Sequence, residues 1–523
     1  MSPPDRSADS PAPFGSVLGV CSILHEAPGA GSAHLDFNGT PVLRQTLERL
    51  ARCSNLGAVA LLCWDDQLPA ASAAADETGA HVLPHGPRGH IPAMHAASVA
   101  QRWSDGWRGG LLGTIPQDAG FFAPGVLAVA RAAGADAVLL VDPSSALLDP
   151  ALVEKLIGHA AARPGHDYYF TPAAPGLTGI LLSLRLLEQL AARKAAPGSL
   201  LHYRPDHPQL DPVAADYCCH GPTRAARTLA DFRLRSRRAV RWAQNVFTPD
   251  ADAERLAIEA DEARQEPAMP RAVSIELTTR RQTRPAWLLP AGEADLDPRG
   301  LRELIVDVVA EADDLRLTLG GRGDPLLAPA WREVIAAARE AGVADIHVET
   351  DLLVDEAGVA ALAESADVIS VHLPAVTPET YQALMGADGY ARATRSLALL
   401  IALRQRLGRG TPIIVPTFVK CRANFPEMEA WYDGWLRTVG SAVIHGPDAF
   451  GNIAPPEVAV AAMSRTERCE PSLRVLADGT LTDELSRPLG RLGRTTARAA
   501  WAMRQAFQPA GGGAAQALTK EAA

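Results

Sequence analysis

From Gly15 to His445 the chain repeats one pattern: a short apolar run, then a longer stretch with helical spacing. Apolar runs too short for a helix and too continuous for a half-exposed strand predict strands buried on both faces, and such strands belong to parallel sheets covered by helices. In the first half, Ser16–Leu24, Gly57–Trp64, Ala80–Leu83 and Asp136–Val141 read as strands, with helices over Val42–Cys53, Gly125–Ala133, Pro150–Ala162 and Thr223–Asn245. In the second half, strands are expected near Val273–Thr279, Leu315–Leu319, Asp345–Thr350, Val368–His372, Pro412–Val419 and Ser441–His445, with helices intervening. Six successive βα units of right-handed connection predict a partial barrel whose functional residues sit at the C-terminal strand ends.

At 523 residues the chain is long enough for several domains. The expected division is 1–14 as a disordered start and 15–247 as a first α/β domain. A linker over 248–270, acidic and bounded by prolines, leads to a barrel domain over 271–450. An extension over 451–508 and a Gly/Ala tail over 509–523 complete it. A net charge of −10 argues against a surface that tracks nucleic acid phosphates in general. The Arg233, Arg235, Arg237, Arg238, Arg241 run is a local exception, read as a solvated helix face or a domain contact. Seven cysteines without a closely spaced framework fit a reducing compartment, and no run is long and apolar enough for a membrane span. With a start that lacks a cationic leader, these predict a cytoplasmic protein.

Several groups invite a chemical reading. His81, His85, His90 and His95 lie mostly in a Gly/Pro loop without the tight spacing of a zinc site, and read as loop and surface histidines. Cys218 and Cys219 read as small buried residues, and Asp65 and Asp66 as helix caps.

In the first half, Leu35 to Leu43 leads into a helix, Ala58–Leu62 ends in Cys63-Trp64-Asp65-Asp66, and Ala137–Val141 ends in Asp142-Pro143. This order resembles the sugar-activating nucleotidyltransferases of the cytidylyltransferase type, with a GT-A, Rossmann-like parallel sheet. The resemblance implies Asp142 as a Mg²⁺ ligand, because in that family a carboxylate at a central strand end holds the metal that neutralises the phosphates. The loop His25 to His34 keeps glycines but lacks the Arg and Lys with which the family grips a triphosphate. A transferase would therefore need a basic residue from elsewhere, such as Arg88 or Arg102.

In the second half, Val273 to Arg280 and the loop after it resemble the first strand and cluster loop of the radical S-adenosylmethionine superfamily. In register, the three cluster-cysteine positions fall on Arg281, Pro285 and Leu288. Arg281 brings five donors and no lone pair for a metal. Leu317 to Leu327, with Gly320, Gly321, Gly323 and Asp324, resembles the family's Gly-Gly-x-Gly-Glu-Pro loop, which implies a place for the methionine amino group. Thr350 stands at the third-strand turn, and Ser370 and His372 alternate on the fourth strand, where they would line any pocket. The glycines admit a second account, a turn that needs close backbone approach. Arg468-Cys469-Glu470 and the Asp478-Gly479 hairpin resemble the start of a SPASM extension, and the whole most resembles the spiro-SPASM architecture. Cys421 and Cys469 are too few to replace a lost triad.

The resemblance therefore implies a degenerate member without a 4Fe–4S cluster, a ligand-binding or scaffold protein. Its partner would be a nucleotide-type small molecule or an enzyme that it positions. The alternatives are a Mg²⁺-dependent nucleotidyl- or glycosyltransferase working through the first domain, and a protein that binds S-adenosylmethionine without cleaving it.

Overall fold

A computed structural model describes residues 14–103, 110–207, 211–263, 268–288, 292–446, 448–449, 452–453 and 471–507. The expected disordered start and tail, and Arg468-Cys469-Glu470, lie outside the described residues or almost wholly so. Among the described residues, no helix is long and apolar enough to cross a membrane.

The first sheet has six strands: β1 (Val17–Ser22), β2 (Ala58–Cys63), β3 (His81–Pro84), β4 (Ala137–Val141), β5 (Tyr168–Phe170) and β6 (Ile180–Ser183), in the order β3-β2-β1-β4-β6-β5. Every residue of β1, β4 and β6 is buried, as continuous apolar runs require. The four strands expected from the sequence pair in parallel around β1. Strands β5 and β6 join antiparallel, so the sheet is mixed. They are short, and the Pro/Gly/Thr-rich segment 171–179 between them reads as loop, which hid them in the sequence.

The helix expected over Thr223–Asn245 is interrupted. Helices cover Thr223–Arg227 and Arg237–Val246, and the segment 228–236 is irregular, without a helix. Phe232 and Leu234 are buried in a core cluster, while Asp231, Arg233 and Arg235 alternate with them and pair with one another, a period of two rather than of 3.6. Ser236 restarts the helix by accepting the Ala239 N–H at 3.0 Å.

The second sheet contains the six expected parallel strands: β7 (Ala272–Ile275), β8 (Arg316–Leu319), β9 (Asp345–Thr350), β10 (Val368–His372), β11 (Ile413–Val419) and β12 (Val443–His445). It continues past β7. β13 (Ser472–Val475) pairs parallel to β7, and β14 (Thr480–Asp483) and β15 (Pro488–Arg491) follow antiparallel, giving the order β12-β11-β10-β9-β8-β7-β13-β14-β15. The Asp478-Gly479 turn does form the expected hairpin: Gly479 has φ +82° and Asp478 accepts the Thr480 N–H at 2.8 Å. Its first strand, however, extends the barrel sheet. Helix Ala497–Ala506 packs back through Trp501, 1% exposed.

The two sheets are joined at the N-terminal end of the barrel. Helix Pro92–Arg102 sets Val99 and Ala100 against Val368, Ile413 and Val415. Trp103 meets the His347 ring edge-on at 4.9 Å, beneath the Arg316 guanidinium at 4.9 Å. Arg102 grips buried Asp345 in a fork of 2.5 and 2.8 Å. The arginine run forms a domain contact: Arg237 and Arg238 pair with Asp313 and Asp314, and Arg241 with Glu311.

Candidate functional site

The barrel mouth at the C-terminal strand ends gathers residues from four segments. Arg281, in the loop after β7, is 7% exposed and lies against Asp351, 1% exposed, just past β9. Arg281 Nε donates to Asp351 Oδ2 at 2.8 Å, and Nη2 donates to Oδ1. Thr283 Oγ1 donates to Asp351 Oδ2 at 2.5 Å. His372 Nδ1 lies 3.0 Å from Arg281 Nη2 and 3.2 Å from Asp351 Oδ1. Arg281 Nη1 donates to the Arg322 carbonyl at 3.3 Å, so the guanidinium is bound on every edge.

Burial alone would push the Asp351 carboxyl up, but the Arg281 charge and His372 hold it well below the usual carboxylate range. Asp324 is driven the other way, by burial and by the neighbouring Asp351 charge. Its oxygens accept the Leu326 and Asp351 N–H groups, each at 3.0 Å, and the Thr350 hydroxyl at 2.9 and 3.1 Å. The structure thus brings Arg281, Asp324, Thr350 and His372 together. Ser370 sits one residue pair deeper, 2.7 Å from His347 Nε2.

Pro285 and Leu288 are held elsewhere on the same loop. Pro285 is buried, Leu288 packs partly against the barrel core, and the loop is pinned by Arg284 N–H to Met385 O at 2.7 Å and Ala286 N–H to Leu384 O at 2.8 Å. A four-iron cluster does not fit this donor set: a guanidinium, a pyrrolidine and an isobutyl group supply no thiolate. Cys421 is buried, and burial pushes its thiol up to about 11.

The glycines of the β8 turn are set by packing. A Cβ on Gly323 would stand 2.1 Å from the Thr278 carbonyl oxygen, and one on Gly320 would stand 2.6 Å from a Glu349 side-chain oxygen. Gly321 has φ +130°. Between them and β13 lies a pair that sequence reasoning missed. Glu276, wholly buried, accepts from Arg322 Nε at 2.8 Å, Arg322 Nη2 at 2.6 Å and the Ala477 N–H at 3.1 Å. Asp351 was missed too. Its signal was indirect: a buried guanidinium at Arg281 demands a carboxylate, and Asp351 directly follows Thr350.

In the first domain Asp142 follows β4 and is buried. Its Oδ1 accepts the Ser144 N–H at 2.9 Å and the Ser144 hydroxyl, and its Oδ2 lies 3.7 Å from Arg233 Nη1. Arg233 has no exposed side-chain surface, and it also donates to Asp231 and to Gln101 Oε1 at 2.9 Å. The adjoining cavity, lined by Ser22, Gln117, Phe121 and Pro143, is only about 20 Å³. One carboxylate already held by a serine and facing a guanidinium does not fit a divalent cation. The basic residue near Asp142 is Arg233; Arg88 instead pairs with Asp66 at 2.8 Å, and Arg102 with Asp345.

The remaining candidates part company. His85 packs against Trp64 and Phe122, the His90 and His95 rings lie 5.7 Å apart, and His81 is exposed on β3. Among the described residues, no three His, Cys, Asp or Glu side chains gather as a metal-binding group. Cys218 and Cys219 are buried, as expected. Asp65 and Asp66 open a short 3₁₀ turn and make no side-chain cap to the helix Leu68–Ala75.

No family model matches the chain, and no curated protein matches it. Among solved structures, it is similar to a cytidylyltransferase from Leptospira borgpetersenii, at 14% identity over 48% of this chain and 93% of that one, TM-score 0.33. It is also similar to anSMEcpe with bound AdoMet and a peptide, at 12% identity over 45% and 81%, TM-score 0.36. A third is Streptococcus suis SuiB bound to S-adenosylmethionine, at 12% identity over 46% and 68%, TM-score 0.32. With scores this low, the α/β description rests on strand order and register.

Proposed function

We propose that the chain is a ligand-binding or scaffold protein, built on a frame like that of the radical S-adenosylmethionine and SPASM proteins, and that it works without radical chemistry. One observation carries the reading. At the position where the sequence resemblance expects the first cluster thiolate, Arg281 is buried in a fork with Asp351, braced by Thr283 and His372. Reductive cleavage of S-adenosylmethionine draws its electron from a cluster held by thiolates. A guanidinium supplies a fixed charge and no electron.

Arg233 beside Asp142 supports the same reading for the first domain, where a fixed cation stands near the carboxylate that the resemblance gives to a metal. Binding of S-adenosylmethionine through Asp324 is disfavoured, because its carboxylate already accepts from three protein donors, the Leu326 and Asp351 N–H groups and the Thr350 hydroxyl. A nucleotide-type ligand in the first domain has one observation in its favour. Buried Ser22 Oγ, His25 Nδ1, Ser145 Oγ and Thr178 Oγ1 have no hydrogen-bond partner, and Ser22 lines the small cavity beside Asp142.

The test is anaerobic reconstitution of the full chain with iron and sulfide, read by iron content and EPR. The expected result is no stoichiometric iron and no cluster signal; about four irons per chain with 5′-deoxyadenosine among the products overturns the proposal. A thermal-shift panel of nucleotides, sugar nucleotides and S-adenosylmethionine, with and without Mg²⁺, then separates binding from scaffolding, since a ligand of the folded state raises its melting temperature.

A further inference from the structure

A cavity of about 440 Å³ opens where the segment 228–236 and helix Arg237–Val246 face the barrel domain, away from the Arg281 cluster and sharing Arg233 with the Asp142 site. Arg233, Arg235, Arg238 and Arg271 line it. One carboxylate, Asp231, serves two of these cations, accepting from Arg233 Nη2 and Arg235 Nη2 at 2.8 Å each. Asp314 likewise faces two, Arg238 Nη2 at 2.7 Å and Arg271 Nε at 3.7 Å. Asp261, also on the wall, lies 3.8 Å from Arg224. Burial first, and then the charge of Arg233, pull the Arg235 guanidinium down to about 10. The lining holds four guanidinium groups against three carboxylates, Asp231, Asp261 and Asp314.

The rim has a different character. Leu229 is 87% exposed, and Trp242, Met269 and Pro270 continue the apolar wall. A pocket of this size, between two domains, with apolar walls and a few convergent polar groups, has the usual form of a small-molecule site; such pockets span roughly 300–1,000 Å³. Guanidinium forks match the oxygens of a phosphate, and the apolar rim matches a body attached to it.

We infer that this interdomain cleft binds a phosphate monoester carrying an apolar or aromatic body, with the phosphate at Arg235 and the body against Leu229 and Trp242. This holds independently of the barrel's chemistry, since none of these residues belongs to the Arg281 cluster. The test is calorimetric titration of the full chain, at low chloride, with phenyl phosphate and with inorganic phosphate. Phenyl phosphate is expected to bind about tenfold tighter or more, because burying its ring adds apolar contact. Arg235→Gln is expected to weaken it about tenfold by removing a charged donor. Leu229→Glu, at an exposed position that leaves the core intact, is expected to weaken it comparably by placing a carboxylate at the rim. Thermal melts of both variants establish that they fold. Absence of saturable binding at millimolar phenyl phosphate overturns the inference. So does equal affinity for the two ligands, or binding that either folded variant leaves unchanged.

Discussion

The Arg281 guanidinium and the Asp351 carboxylate, seventy positions apart in the chain, meet side by side at the barrel mouth with Nε 2.8 Å from Oδ2, and both are almost wholly out of solvent. Paired buried charges tolerate loss of one partner poorly, because the survivor keeps its desolvation cost. Arg281→Leu is therefore expected to cost about 3–5 kcal/mol in urea denaturation. The double variant Arg281→Met with Asp351→Leu should recover most of that loss. A double variant no more stable than Arg281→Leu would show that the pair does not act as a unit.

In the first domain Asp231 takes the Arg233 fork, and Asp142 Oδ2 lies 3.7 Å from Arg233 Nη1. Arg233→Met should destabilise the chain by a few kcal/mol, about 3 or more, since Asp231 and Asp142 both lose a buried cation. Wild-type protein should show no Mg²⁺-dependent thermal shift, and one that disappears in Asp142→Ala would instead favour a metal-dependent transferase.

Gly323 faces the Thr278 carbonyl so closely that a methyl group there would overlap backbone. Gly323→Ala is expected to destabilise by about 1–3 kcal/mol, the usual range for forcing an atom into a packed site. The melting temperature measures it. An unchanged value would mean that the turn is free to move away from β7.

Asp118 is buried and accepts the Ile115 and Gly198 N–H groups at 3.0 Å each, yet burial pushes its carboxyl up to about 7. A folded value above the ordinary one means that its stabilising contribution is complete below about pH 4 and is lost as pH rises through about 7. Asp118→Asn removes this titration. Between about pH 5 and about pH 8 the wild type should lose stability relative to the variant. A difference independent of pH in paired denaturation curves would refute the shift.

Arg102 ties the first domain to the base of the barrel through Asp345, which has no exposed side-chain surface. Arg102→Ala leaves that carboxylate uncompensated and is expected to separate the two domains' unfolding into two calorimetric transitions, whereas the wild type unfolds in one. A single transition in both proteins would place the coupling in the Val99 and Ala100 contact instead.

The parallel strands and the glycine turn after β8 were legible in the sequence. Each depends on local periodicity or on the identity of a side chain, and both are written in the order of residues. The partners of the buried charges were not. Asp351 for Arg281, Arg233 for Asp142 and Asp345 for Arg102 are chosen by which strand ends and helix termini the fold brings to one place. The same reason hid the place of β13. The hairpin it opens was legible, but its pairing beside β7 is decided by an open sheet edge that exists only once the barrel has formed.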